Sequence, residues 1–281
     1  MSDQQQLAQK IARDIVSSIE NDTLVLPTLP EIALSVREIV DNPDSGLSDL
    51  IDVINRDTAL SARILKVCNS PLFRGANEIS NLSMAVNRLG MQYTSNLATG
   101  LAMEQMFQAT SEMIDLRMRD VWQRSTEVAG MCNVMARSHA HLNPGQATLA
   151  GLIYAIGALP VLKYVEDNDV QLTGFALDAI LDRLQPPIGK RILCKWEFPE
   201  DLRSVPKDCV EFGRQVPRVD YADLVMIAML QSYTGSKHKY AQMDWAAIPA
   251  FARAGINPDP EADVDEDLTA QMEAAMALLK G

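Results

Sequence analysis

Apolar residues recur along this chain at intervals of three and four. Leu7, Ile11, Ile15 and Ile19 form one row, and Ile32, Val36, Ile39 and Val40 form another after Pro27 and Pro30. Such rows line one face of an α-helix, and strand-type alternation is almost absent, so the pattern predicts an all-α protein. Breakers divide the chain into short helices: Asn42-Pro43, Pro71 and Gly75, Gly90, Asn143-Pro144-Gly145, Pro186-Pro187, Pro199, Pro206, Gly213 to Pro217, Gly235 and Asn257-Pro258-Asp259-Pro260. Each removes a backbone donor or relaxes the backbone where a helix would otherwise continue. The connections are short, and the expected plan is one compact multi-helix body with two helical lobes, dividing near Ser111 to Leu116.

Several boundaries carry their own chemistry. Ser48 and Asp57 precede apolar helical segments and are expected to cap free backbone N–H groups. Asn69 and Ser70 are expected to satisfy backbone groups where a helix stops before Pro71. Trp122, Trp196 and Phe198 are expected in the core, beside breaks in helices. Gly151 and Gly157 flank an apolar stretch read as helical and permit close helix approach. The acidic run Asp263, Asp265, Glu266 and Asp267 reads as a solvated helix start whose charges oppose the helix dipole.

Composition narrows the function. With 47% hydrophobic residues in 281, the chain can bury a substantial core in one or two domains. A net charge of −12 argues against DNA as a partner, because phosphate binding rests on clustered Lys and Arg. No membrane association is expected, since the apolar stretches are read as shorter than the roughly 18 residues of a span. The amino terminus, Met-Ser-Asp-Gln-Gln-Gln, is polar, and a cytoplasmic location is expected. Cys68, Cys132, Cys194 and Cys209 lie far apart without a Cys-x-x-Cys pair, and read as reduced small hydrophobes. Phosphate-loop, dinucleotide-binding and nucleophile-elbow motifs are absent from the sequence.

Residues 26–90 contain Leu-Pro-Thr-Leu-Pro-Glu-Ile-Ala, Asn55-Arg56-Asp57-Thr58-Ala59-Leu60, Asn69-Ser70 and Ala85-Val86-Asn87-Arg88-Leu89-Gly90. Further on come Val121-Trp122-Gln123-Arg124-Ser125, Gly151-Leu152-Ile153-Tyr154-Ala155-Ile156-Gly157, and Ile188-Gly189 leading to Trp196-Glu197-Phe198-Pro199. In combination they resemble the HDOD domain, an all-helical relative of the HD metal phosphohydrolases. The likeness covers residues 22–235, leaving residues 1–21 as an N-terminal helix and 236–281 as a C-terminal helical extension. It implies that the HD metal-ligand positions fall on Arg124, Tyr154, Ala155, Gln185, Asp208, Cys209 and Met229. Only Asp208 among them is an ordinary ligand for a hard divalent ion, so no metal and no other cofactor is expected. His139 and His141 stand two apart, on different faces of a helix, and His238 between two lysines is expected to face water.

Arg56, Arg63, Arg74 and Arg88 form the nearest approach to a functional basic set, weak candidates for binding a nucleotide phosphate. The resemblance implies a non-catalytic bacterial signalling or regulatory module that acts through protein–protein interaction or ligand sensing. Its alternative is a metal-dependent phosphohydrolase or phosphodiesterase, and a cyclic dinucleotide bound without hydrolysis is a third reading. Members of such a family occur alone or joined to receiver, cyclic-dinucleotide-turnover or kinase domains. The 281 residues leave no room for a domain of that kind, so a signal is expected from a separate signalling protein. The flanking segments are candidates for homodimerisation, for partner binding, or for packing on their own body.

Overall fold

The computed structural model describes residues 10–259, apart from residues 12, 19–20, 22–24, 71–72 and 74–77. The first lobe contains α1 (Glu31–Asp41), α2 (Leu47–Asn55), α3 (Thr58–Cys68), α4 (Leu82–Leu89) and α5 (Met91–Ala102). A 3-10 turn at Met103–Met106 leads into the second lobe. That lobe holds α6 (Glu112–Ala136), α7 (Pro144–Ile153), α8 (Ala158–Asp167), α9 (Gly174–Lys195), α10 (Glu200–Arg203), α11 (Val205–Asp208) and α12 (Tyr221–Gln231). Two further 3-10 turns and α13 (Pro249–Ala254) close it. No strand occurs among the described residues, so the all-α plan with two lobes holds.

The lobes share one apolar core, running from Ile11 to Ala254. Ile11 and Ile15 are buried in it, while Leu7 and Ile19 of the same predicted row lie outside the described residues. Helix α7 is central, packing on α5 of the first lobe and on α6 and α12 of its own. Tyr240, Trp245 and Phe251 bury their rings against the body, which makes residues 239–254 part of it. The acidic run from Asp263 to Asp267 lies outside the described residues.

Local chemistry sets several helix starts. The side chain of Asp57 accepts from Leu60 N at 2.9 Å, Asn81 from Met84 N at 2.9 Å, and Asn143 from Gly145 N at 2.8 Å. Ser48 is not the cap expected of it. Helix α2 begins at Leu47, and Gly46 N donates to Asp49 Oδ2 at 2.7 Å, so the cap sits two residues earlier. Asn69 instead clamps a loop: Nδ2 donates to Ile79 O and Oδ1 accepts from Ile79 N, both at 2.7 Å.

Two expectations about breaks are corrected. Pro186 and Pro187 sit inside the continuous helix α9 rather than at its end. Packing overrides local propensity there: a Cβ on Gly157 would come within 2.0 Å of Gln185 O, and one on Gly189 within 2.7 Å of Pro206 Cβ. The segment from Gly151 to Gly157 is not one helical stretch, because α7 ends at Ile153 and a turn precedes α8. The stretch Pro144–Asp167 is nonetheless long and apolar enough to cross a membrane by composition, which corrects the reading of shorter apolar runs. Within its most apolar window, 89% is buried inside the protein, as the centre of a helical core demands.

Three helices stop by one device. The N–H groups of Val170, Phe198 and Ile256 reach back to Val165 O, Leu193 O and Phe251 O, each at 3.0 Å, with the preceding residue at positive φ. At α13 that residue is Gly255, but at α8 and α9 it is Asp169 and Glu197, with φ of 46° and 56°. A side chain is strained in this conformation.

Two polar anchors hold the second lobe. Glu166 of α8 covers the start of α6: its Oε1 accepts from Thr110 N at 2.7 Å, from Thr110 Oγ1 at 2.8 Å and from Ser111 N at 2.8 Å. These bonds, with the Ser111 amide foremost, lower its pKa to about 2. Asp223 of α12 is fully buried, accepting from Arg214 Nη1 at 2.7 Å and from Arg253 Nε at 2.8 Å.

The two anchors and the strained end of α9 each set a stability measurement. Glu166 favours the folded state above its ordinary pKa of 4.5, and that contribution fades as pH falls toward 2. The stability gap between wild type and Glu166→Gln, read by denaturant unfolding, should therefore shrink across this window. Asp223→Ala leaves two guanidinium groups without their shared carboxylate and should cost about 3–5 kcal/mol by denaturant unfolding. Glu197→Gly should raise the thermal midpoint by relieving strain of order 1 kcal/mol.

Candidate functional site

The positions that would carry the metal ligands come from five separate elements. Arg124 lies on α6, Tyr154 and Ala155 in the turn after α7, Gln185 on α9, Asp208 and Cys209 at the end of α11, and Met229 on α12. Tyr154, Ala155, Cys209 and Met229 are buried. Arg124 and Gln185 are half-buried.

Arg124 is held rather than free. Its Nη1 donates to Ser232 O at 3.1 Å and to Ser232 Oγ at 3.3 Å, and its guanidinium lies over the Tyr233 ring, 4.0 Å from the centroid. Tyr233 in turn stacks on His238 at 3.9 Å, and both meet Tyr240 edge-on. His238 does not simply face water: it is half-buried in this stack, and its Nδ1 accepts from Tyr240 N at 3.3 Å. Burial lowers its pKa. The lysines on either side hid a ring whose place is decided by two tyrosines across a turn.

Burial raises the Tyr154 hydroxyl well above its ordinary range; Tyr233 and Cys209 add to this in smaller measure and the Arg124 charge opposes it. Burial also pushes the Cys209 thiol up to about 12, Asp208 adding to the effect. The Asp208 carboxylate approaches Arg214 Nη2 at 4.0 Å. A divalent ion needs converging carboxylate, imidazole or thiolate donors. This chain supplies a guanidinium, a phenol and a thiol held protonated, a methyl group, a carboxamide, a thioether and one carboxylate, Asp208, which lies toward Arg214. Among the described residues, no three His, Cys, Asp or Glu side chains are placed to hold a metal. These residues do not fit a divalent metal.

The remaining histidines sit differently from expectation. His139 and His141 occupy a turn after α6 rather than a helix, and their rings face each other edge-on at 6.2 Å. His141 Nε2 meets Val219 O at 2.9 Å. Cys194 is exposed, unlike the other three cysteines.

The basic set is distributed over the first lobe. Arg56 is exposed at the end of α2, Arg63 of α3 pairs with Glu104, and Arg88 of α4 flanks the buried thiol of Cys68. Arg74 lies outside the described residues.

Sequence patterns did not point to the other concave feature. A cleft of about 240 Å³ opens where the lobes meet, between α1, α5, α7 and the turn leading into α10. Ser95, Asn96 and Thr99 of α5 line it, and each is at least nine-tenths buried. Polar residues on a helix that is otherwise core were the available signal.

Comparison with known proteins bears on the family. A structure named provisionally as a metal-dependent phosphohydrolase from Shewanella amazonensis SB2B is 30% identical, covering 97% of this chain and 99% of its own, with a TM-score of 0.86. An HDOD domain protein of unknown function from Geobacter sulfurreducens is 20% identical over 97% of this chain and 98% of its own, with a TM-score of 0.63, and shares the fold. An uncharacterized protein from Treponema pallidum (strain Nichols) is 24% identical over 242 residues, 80% of this chain, and the match spans 44% of that relative's length. The HDOD domain family model matches residues 26–207, inside the 22–235 read from the sequence. With the helical body, the motifs and this match in agreement, the chain belongs to the HDOD family.

Proposed function

We propose that this chain is a cytoplasmic, non-catalytic signalling or regulatory module, acting through contact with another protein or by sensing a ligand. The observation that supports this reading is the occupancy of the metal-ligand positions by one interlocked set of side chains. Arg124 is fixed over Tyr233, Tyr233 is stacked on His238, and Tyr154 fills the buried volume beside them. A cation brought there would meet a fixed positive charge and donors held in their protonated forms. Refilling the space with packed aromatic rings keeps the scaffold stable without any metal.

The enzymatic alternative, suggested by the provisional name of the Shewanella protein, would route catalysis through Asp208. Purified untagged protein should contain no stoichiometric manganese, iron or zinc and should release no phosphate from nucleotides. Stoichiometric metal together with phosphate release that is lost in Asp208→Ala would overturn the non-catalytic reading.

A further inference from the structure

One titratable ring in this protein is a working part of a turn. His238 precedes the 3-10 turn Lys239–Gln242, and its Nδ1 accepts from Tyr240 N at 3.3 Å, which closes the start of that turn. A ring nitrogen accepts only when it carries no proton, so the turn needs a neutral imidazole. The ring is also stacked on Tyr233, 3.9 Å between centroids and 15° between planes, with Tyr240 edge-on at 4.7 Å. The Arg124 guanidinium lies 4.0 Å from the same Tyr233 centroid. Two groups that close to one ring centre cannot share a face, so Tyr233 is held between a permanent cation and the imidazole.

The groups around the ring set its response to acid. From α6 the charges of Arg117 and Arg124 reach it, from α9 that of Asp182, and from its own turn Lys239, with the rings of Tyr233 and Tyr240 in contact. Lys237, on its other side in the chain, is exposed. Asp182 alone among them favours an imidazolium, and that carboxylate already pairs with Lys239 Nζ at 2.7 Å. Burial foremost, and then the three cations, oppose one, so the closed stack holds His238 below its ordinary pKa of 6.5. A ring released into water titrates at that ordinary value. The contribution of the stack is therefore complete above pH 6.5 and is lost as pH falls below it.

We infer that residues 232–243 form an acid-released latch: a proton on His238 removes the acceptor for Tyr240 N, frees the ring from Tyr233 and opens the turn beside Arg124. Tyr233 and Tyr240 both lie within electrostatic reach of the buried Tyr154, so the latch closes over the positions that would carry the metal ligands. Acidification changes the surface presented around Arg124. Above pH 4.5 the Glu166 anchor keeps its charge, so the loosening is local and the helical body stays folded. The latch stands apart from the non-catalytic reading, because it requires neither a ligand nor a reaction.

Hydrogen exchange of the full chain tests it, resolved by peptide at pH of about 7.5 and about 5.5 and corrected for the intrinsic rate. Exchange within residues 232–243 should be severalfold faster at the lower pH, with a ceiling of about tenfold if only the released ring takes up the proton. His139 is also held below its ordinary pKa, mainly by burial, but it sits in the turn after α6 and is read by a different peptide. In His238→Phe, which keeps a ring to stack but cannot titrate, and in His238→Gln, the pH dependence of residues 232–243 should vanish. Histidine NMR of the wild type serves if neither variant folds: the His238 ring should titrate below 6.5. Equal exchange at both pH values, the same acceleration in both variants, or titration of His238 at or above 6.5 would overturn the inference.

Discussion

Backbone contact without intervening side chains sets the distances in this protein. A Cβ on Gly151 would lie 2.4 Å from Ala129 Cα, so α7 runs directly against the backbone of α6. At Gly157 the same closeness is met by Gln185 O and Gly189 N of α9, while the other side of Gly189 receives the ring of Pro206 ahead of Cys209. No larger residue fits at these positions without moving a helix. Arg124, Tyr154, Ala155, Gln185, Asp208 and Cys209 all project from helices or turns joined by these contacts. The glycines of the Gly151–Gly157 segment therefore serve packing, whatever the residues between them do.

That geometry explains how a scaffold persists while its chemistry changes. With helix positions set by glycine contacts, the space between α6, the α7–α8 turn, α11 and α12 is filled by side chains. Tyr154, Cys209 and Met229 fill it from inside, and Arg124 closes it against Tyr233 and His238. The polar anchors are peripheral to this space: Glu166 holds the start of α6, and Asp223 holds α12 to the segment after Cys209 and to α13. Polar character instead collects at the junction of the lobes, where α5 turns Ser95, Asn96 and Thr99 inward beside Arg37.

Some of this was legible from local signals. The rows around Ile15 and Val36, the cap at Asp57 and the burial of Trp122, Trp196 and Phe198 depend on periodicity or on residues a few positions apart. Readings that stopped at local propensity failed where distant contacts intervene. Pro186-Pro187 does not end α9, because helices on either side hold it. Ser48 yields to Gly46 and Asp49, a competition between caps two residues apart. His238 looked solvated between Lys237 and Lys239, yet the turn after α12 folds its ring onto Tyr233.

The sequence by itself determined the helical class and the family, because periodicity and residue identity are written in order along the chain. Tertiary structure alone decided which side chains meet around Arg124 and Tyr154. The Arg124–Tyr233 contact joins residues more than one hundred positions apart, and the cleft joins α1, α5, α7 and the turn before α10. Neither has a spacing to recognise in one dimension. Whether an asparagine such as Asn96 is a solvated surface group or a buried donor without a partner depends on what packs over it, and only the folded chain supplies that.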